Sequence, residues 1–144
     1  MAFRPYLFFG NNCRAAFTRY QEIFGGELVI MRMGDAPADE PIPPEMADVV
    51  IHAALMVGDE LLMASEDPTT DSFGPVQGMM VSFNTPDPGE AKRVFDALSE
   101  GGEIRQELTE TFFSPAYGMC VDAFGTPWMV AADSPTPPYG SGPS

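Results

Sequence analysis

The sequence predicts an α+β fold in which a strand–helix–strand–strand–strand unit occurs twice. Three observations predict it. Short apolar runs of strand length are separated by glycine and proline punctuation. Two longer stretches carry apolar residues at helical spacing, and each ends in Gly-Gly followed at once by a strand. The halves also correspond in order: Ala16 and Tyr20 with Ala91 and Phe95, Gly25-Gly26-Glu27-Leu28 with Gly101-Gly102-Glu103-Ile104, and Gly58 through Met63 with Gly125 through Val130.

Residues 4–9 are aromatic, end at Gly10-Asn11-Asn12, and read as a first strand, with Asn11 or Asn12 as helix N-cap. Ala16, Phe17, Tyr20, Ile23 and Phe24 share one face of a helix over 13–24, which Gly25-Gly26 stops. A strand follows over 27–33. Residues 34–48 hold too many prolines and carboxylates to pair in a sheet and read as a loop. Strands over 49–57 and 61–65 flank Gly58-Asp59, a two-residue hairpin signal. After a polar loop over 66–78 the pattern restarts. It gives a strand over 79–84, a helix over 90–100 with Ala91, Val94, Phe95 and Leu98 inward, and a strand over 103–108. A hairpin of strands 117–122 and 126–131 closes it around Phe124-Gly125. Residues 133–144 are too poor in apolar groups to pack and read as a disordered tail.

Composition narrows the function. The 144 residues suit a single domain over 1–132, with repeat halves of about 1–66 and 78–132. There are 21 acidic residues against 7 basic ones, a formal charge of −14, which repels nucleic acid and anionic membranes. No apolar run reaches the roughly 18 residues of a membrane span. Cys13 and Cys120 form neither a CxxC pair nor a disulfide framework, and no signal peptide is evident, so a cytoplasmic location is expected.

An ordered set of motifs carries a resemblance. It comprises Pro5-Tyr6-Leu7-Phe8-Phe9, Gly10-Asn11-Asn12-Cys13-Arg14-Ala15, Tyr20, Phe24-Gly25-Gly26, His52-Ala53, Leu62-Met63-Ala64-Ser65 and Glu110-Thr111-Phe112. It ends with Asp122-Ala123-Phe124-Gly125-Thr126-Pro127-Trp128-Met129-Val130. Together these resemble the PhnB-like branch of the vicinal oxygen chelate superfamily, also called the glyoxalase/bleomycin-resistance fold. The resemblance implies that the tandem βαβββ repeats form a curved, half-barrel mixed sheet and that the protein is a homodimer. It also implies four inward positions that hold a divalent metal in the superfamily's enzymes. Here they fall near Arg4 or Pro5, Leu62 or Met63, Met80 and Met129, none of which is a ligand for such a cation. No metal and no cofactor is therefore expected. The methionines instead suit an adaptable apolar pocket.

Strand alternation and the loop before the last hairpin nominate Tyr6, Phe8, Leu62, Ala64, Met80, Ser82, Phe112, Tyr117, Met129 and Ala131 as a ligand-binding surface. Three residues could carry acid–base or nucleophilic chemistry. His52 is the sole histidine, a residue type that can act as acid or base near neutral pH. Cys13 sits in the first helical turn beside Arg14, where the helix dipole favours thiolate. Glu110 lies next to Phe112 and Phe113, whose desolvation would raise its pKa. As bland alternatives, His52 is a hydrogen-bonded strand residue, Cys13 a half-buried filler and Glu110 a solvated loop carboxylate. Asp39, Glu40, Glu45 and Asp48 read as a solvated acidic loop or a lid. The reading ranked first is a metal-free protein that binds a small molecule. The alternative is a metal-independent enzyme using His52, Cys13 or Glu110. A demethylubiquinone methyltransferase label attached to the branch is disfavoured, since no glycine-rich strand–turn–helix loop for S-adenosylmethionine is present.

Overall fold

The structure, a computed structural model, describes residues 1–35, 42–67 and 76–134. The chain divides into two compact units, Met1–Phe73 and Gly74–Ser144. The first contains β1 (Tyr6–Phe9), α1 (Cys13–Phe24), β2 (Glu27–Arg32), β3 (Val50–Val57) and β4 (Glu60–Glu66). The second contains β5 (Val81–Thr85), α2 (Pro88–Ser99), β6 (Glu103–Thr109), β7 (Tyr117–Val121) and β8 (Pro127–Ala132). Each unit is the expected βαβββ order. Residues 135–144 and the acidic Asp39 and Glu40 lie outside the described residues.

Both sheets are mixed and share one topology, with strand orders β1-β4-β3-β2 and β5-β8-β7-β6. The last strand of each unit sits between the first, which it pairs in parallel, and the third, which it pairs antiparallel. One face of each sheet is covered by its helix. In the first unit Leu7, Phe9, Ala53, Leu55 and Ala64 are buried with Cys13, Ala16, Phe17, Tyr20 and Ile23 of α1. Phe17 packs edge-on against Phe9 and Tyr20 at centroid distances of 6.2 and 5.4 Å. Fully burying one such side chain stabilises by about 1.5–3 kcal/mol, so this layer dominates the unit's core. In the second unit α2 contributes Ala91, Val94, Phe95 and Leu98 against Cys120, Trp128 and Val130. Trp128 is core, as its alternation with Pro127 and Met129 predicts.

The helix starts differ from the expectation. Asn12 is the N-cap residue of α1 but makes no side-chain cap bond. Glu66, at the end of β4, replaces it. One carboxylate oxygen accepts the Cys13 N–H at 3.1 Å and the other accepts the Val50 N–H at 2.9 Å. A carboxylate at a helix N-terminus is favoured by the dipole. Helix α2 begins two residues earlier than predicted, at Pro88. Proline suits the first helical turn because it lacks an N–H that would go unused there, and the Asp87 carboxylate accepts from Gly89 N–H.

One-turn 3₁₀ helices at Met33–Asp35, overlapping the start of the 34–48 segment, and at Pro44–Met46, within it, are not signalled by proline and carboxylate content alone. The segment's two sides are tied by Arg32, which donates to Asp35 and to Asp48. The guanidinium holds the Asp35 carboxyl at about 2, below its ordinary 3.8. A depressed carboxylate stabilises above its unfolded value and stops doing so as pH falls through its folded value. Carboxyl NMR is therefore expected to show the Arg32–Asp35 tie intact above about pH 4 and lost toward pH 2; an Asp35 midpoint near 4 would refute it.

Among the described residues no helix is long and apolar enough to cross a membrane.

Candidate functional site

The register decides which side chains share the sheet face turned away from the helix. In the first unit Tyr6, Met63, Ala54 and Val29 form one row across all four strands. Phe8 pairs with Ser65, and His52 pairs with Met31, in the neighbouring row. Side chains alternate along a strand, so Met56 joins this face as well. The large apolar residues Tyr6, Phe8, Val29, Met31 and Met56 on it are all exposed, Phe8 at 54%. An apolar concentration of this kind on one face is the informative kind of exposure.

At its centre the Tyr6 hydroxyl lies 3.1 Å from His52 Nδ1. The two rings are 5.8 Å apart, and Tyr6 also meets Phe8 at 5.4 Å. The structure thus brings together Tyr6, Phe8 and His52, three of the residues nominated from sequence.

Leu62 and Ala64 do not join them. Leu7 pairs with Ala64, and Leu55 with Leu62, so both lie on the helix-covered face. Ala64 is wholly buried there. The cause is a one-residue slip, which in a strand turns every side chain to the other face. The repeat correspondence ran from Gly58 and Gly125 as equivalent turns. Only two residues, Gly58-Asp59, separate β3 from β4, whereas five separate β7 from β8. The residue equivalent to Met129 is therefore Met63. The strand positions on the open face that the sequence did not nominate are Val29, Met31, Ala54 and Met56, and hairpin length is the signal that decides for Met63 over Leu62.

In the second unit Ser82, Met129, Met119 and Gln106 form one row, and Asn84, Ala131, Tyr117 and Thr109 the next. The nominated Ser82, Met129, Ala131 and Tyr117 thus share a face. Met80 precedes β5 and is half-buried. Tyr117 stacks edge-on against Phe113 at 4.9 Å, while Phe112 is fully exposed. The loop before β7 is fixed by Thr111 and Ser114: the Thr111 hydroxyl oxygen accepts the Ser114 N–H, and the single Ser114 O–H is shared between the Ala116 and Ala132 carbonyl oxygens at 2.7 and 2.6 Å. Glu110 is exposed on this loop. The enclosure that would make it a base is not formed around it by Phe112.

Cys13, the first residue of α1, is fully buried. Burial, and next the nearby Glu66 carboxylate, push its thiol up to about 12, against the weaker opposing effect of Arg14. This reverses the direction expected from the helix N-terminus, because desolvation of the thiolate outweighs the dipole. Burial pushes Cys120 up as well. The Cys13 thiol stays protonated at neutral pH. Between its unfolded value of 9.0 and about 12 only the unfolded chain releases the proton, so stability falls as pH rises through that window. Iodoacetamide at pH 8 is expected to alkylate native Cys13 more slowly than a free cysteine; an equal or faster rate would show an activated thiolate.

The positions that the resemblance matches to metal ligands, Arg4 or Pro5, Leu62 or Met63, Met80 and Met129, offer no carboxylate or imidazole. Among the described residues no three His, Cys, Asp or Glu side chains converge as a metal site. This donor set does not fit a hard divalent cation.

A family model described as 3-demethylubiquinone-9 3-methyltransferase matches residues 1–131. The Escherichia coli protein YjdN is 30% identical over 140 residues, covering 90% of this chain and 94% of that protein. The crystal structure of PA1353 from Pseudomonas aeruginosa is 37% identical with a TM-score of 0.83, covering 92% of this chain and 98% of that one. A PhnB protein from Bacillus cereus shares the fold at 22% identity and a TM-score of 0.74, over 92% and 99% of the two chains. More distant structures named as glyoxalase-related or as glyoxalase/bleomycin resistance proteins share the fold alone.

Proposed function

Since the chain belongs to the 3-demethylubiquinone-9 3-methyltransferase family, the PhnB-like branch of the glyoxalase/bleomycin-resistance superfamily, we propose that it binds a small molecule in an apolar pocket built on the open sheet face of the first unit. One observation carries this reading: the exposed Tyr6, Phe8, Val29, Met31 and Met56 are gathered on that face together with a hydrogen-bonded polar pair, Tyr6 and His52. Ligand sites are commonly apolar surfaces with a few placed polar groups. Methionines let such a surface adapt to varied shapes. Homodimer formation, common for this fold, belongs to the proposal and is read by light scattering.

The experiment is a fragment screen by thermal shift, followed by NMR of methyl-labelled methionine. Binders are expected to raise the melting temperature by mass action and to move the Met31, Met56 and Met63 methyl signals. A screen without binders, or shifts confined to other methionines, would overturn the reading.

A second reading, a metal-independent enzyme, is favoured by the same hydrogen bond, which makes His52 its acid–base candidate. The protonated, buried Cys13 and the exposed Glu110 give it no support. The methyl transfer in the family's description is not what this fold suggests. Each sheet has one parallel pair, and β1 leads into α1 through Gly10-Asn11-Asn12 rather than a glycine-rich cofactor loop.

A further inference from the structure

The geometry points to a ligand class for this face: a planar aromatic molecule carrying a hydroxyl or carbonyl oxygen, which the Tyr6–His52 pair engages as one donor–acceptor unit. The inference rests on the binding proposed above and adds the chemistry that selects the occupant.

The hydrogen bond between the Tyr6 hydroxyl and His52 Nδ1 consumes one donor and one acceptor. Two arrangements satisfy it. If the phenol donates to Nδ1, Nε2 carries the imidazole proton, leaving an N–H donor and the phenolic oxygen lone pairs. If Nδ1–H donates, the phenol keeps its O–H and Nε2 keeps its lone pair. In both arrangements the pair retains one donor and one acceptor for a third molecule. The internal bond also restrains both rings, so little side-chain freedom remains to be lost on binding.

The surroundings favour a flat, apolar body behind that oxygen. Phe8 lies 5.4 Å from Tyr6 with the rings inclined by 44°, and Tyr6 is inclined to His52 by 33°. Three rings thus stand side by side, and Met31 and Met63 flank them in register. An aromatic ligand gains ring contacts here, worth about 0.5–1.5 kcal/mol per pair beyond area, together with sulfur–aromatic contacts. An anionic ligand has less to gain, because the chain's net charge of −14 repels it.

The test compares 2-naphthol with 2-methylnaphthalene, which has the same shape without the oxygen. In the unmodified protein 2-naphthol is expected to bind about five- to tenfold more tightly, the effect of one satisfied hydrogen bond. Tyr6→Phe and His52→Gln should each erase most of that preference. The double variant should lose no more than either single one, as for groups acting as a unit. The methyl shifts of Met31 and Met63 locate both probes. Equal affinity of the two probes in the unmodified protein, or a preference that survives Tyr6→Phe, overturns the anchor but leaves the apolar site standing. Failure of both probes and of the fragment screen together overturns the binding proposal itself. The comparison within the unmodified protein decides the matter even if a variant folds poorly.

Discussion

Replacing Gly26 with alanine is expected to cost about 3–5 kcal/mol of folding stability, enough to unfold a unit of ordinary stability. Gly26 has φ +87°, and a Cβ built on it would lie 2.1 Å from the Met56 carbonyl oxygen of β3. Neither atom is a flexible side-chain end, so the strand pairing between β2 and β3 must shift. The backbone conformation adds about 1–2 kcal/mol of its own for a side-chain-bearing residue. Gly58 separates the two effects. Its φ is +59° and nothing lies within 4 Å of a Cβ there, so Gly58→Ala should show only the conformational cost. The second unit repeats the close approach, without the positive φ, at Gly102, whose Cβ would lie 2.1 Å from the Val121 carbonyl oxygen of β7. Urea denaturation followed by amide NMR of each unit reads these losses. A Gly26→Ala protein as stable as Gly58→Ala would refute the close-approach argument.

Asp122→Ala is expected to destabilise by a similar amount, about 3–5 kcal/mol. Asp122 is a buried carboxylate in the β7–β8 connection. One oxygen accepts the Phe124 and Thr126 N–H groups at 2.9 and 3.0 Å, and the other accepts Trp128 Nε1–H at 2.8 Å. Truncation removes the carboxylate that all three donors share, and each hydrogen bond to a charged group lost in this way costs about 1.5–3 kcal/mol at most. Asp122→Asn should cost less, about 1–3 kcal/mol, because one oxygen keeps the two backbone donors while the amide N–H group now faces the indole N–H. Trp128 is the single tryptophan, so its emission follows the bond directly. Asp122→Ala should red-shift native emission as well as lower the urea midpoint. Unchanged stability in Asp122→Ala would show that the hairpin does not depend on this carboxylate.

These two sites show how far the residues could be read in advance. Glycine pairs after each helix were legible as helix stops, and Gly25 and Gly101, both at φ +75°, fill that role. The second glycine of each pair serves a different purpose, passing close to a carbonyl of a strand distant in sequence. Only tertiary proximity reveals that. Helix α1 was legible end to end because its apolar spacing is strong, whereas α2 was placed late because Pro88 was read as punctuation instead of a first turn. Tyr6, Phe8 and His52 were legible as candidates, but their meeting was not, since 46 residues separate Tyr6 from its partner. The face of β4 was misread because hairpin lengths differ between the repeats, and alternation amplifies one residue into a full reversal. Cys13 was misread because local sequence shows the dipole and Arg14 but not the burial that outweighs them.

The strand order has a consequence for vectorial synthesis. Within its sheet, β1 pairs only with β4, the last strand of its unit to leave the ribosome, and β5 likewise waits for β8. Neither sheet can therefore grow outward from its N-terminal strand as the chain emerges. Each nascent half keeps an aromatic or apolar strand unpaired until its final strand inserts between first and third, and a ribosome stalled short of Glu66 or Ala132 would hold an unfinished sheet for chaperones to shield.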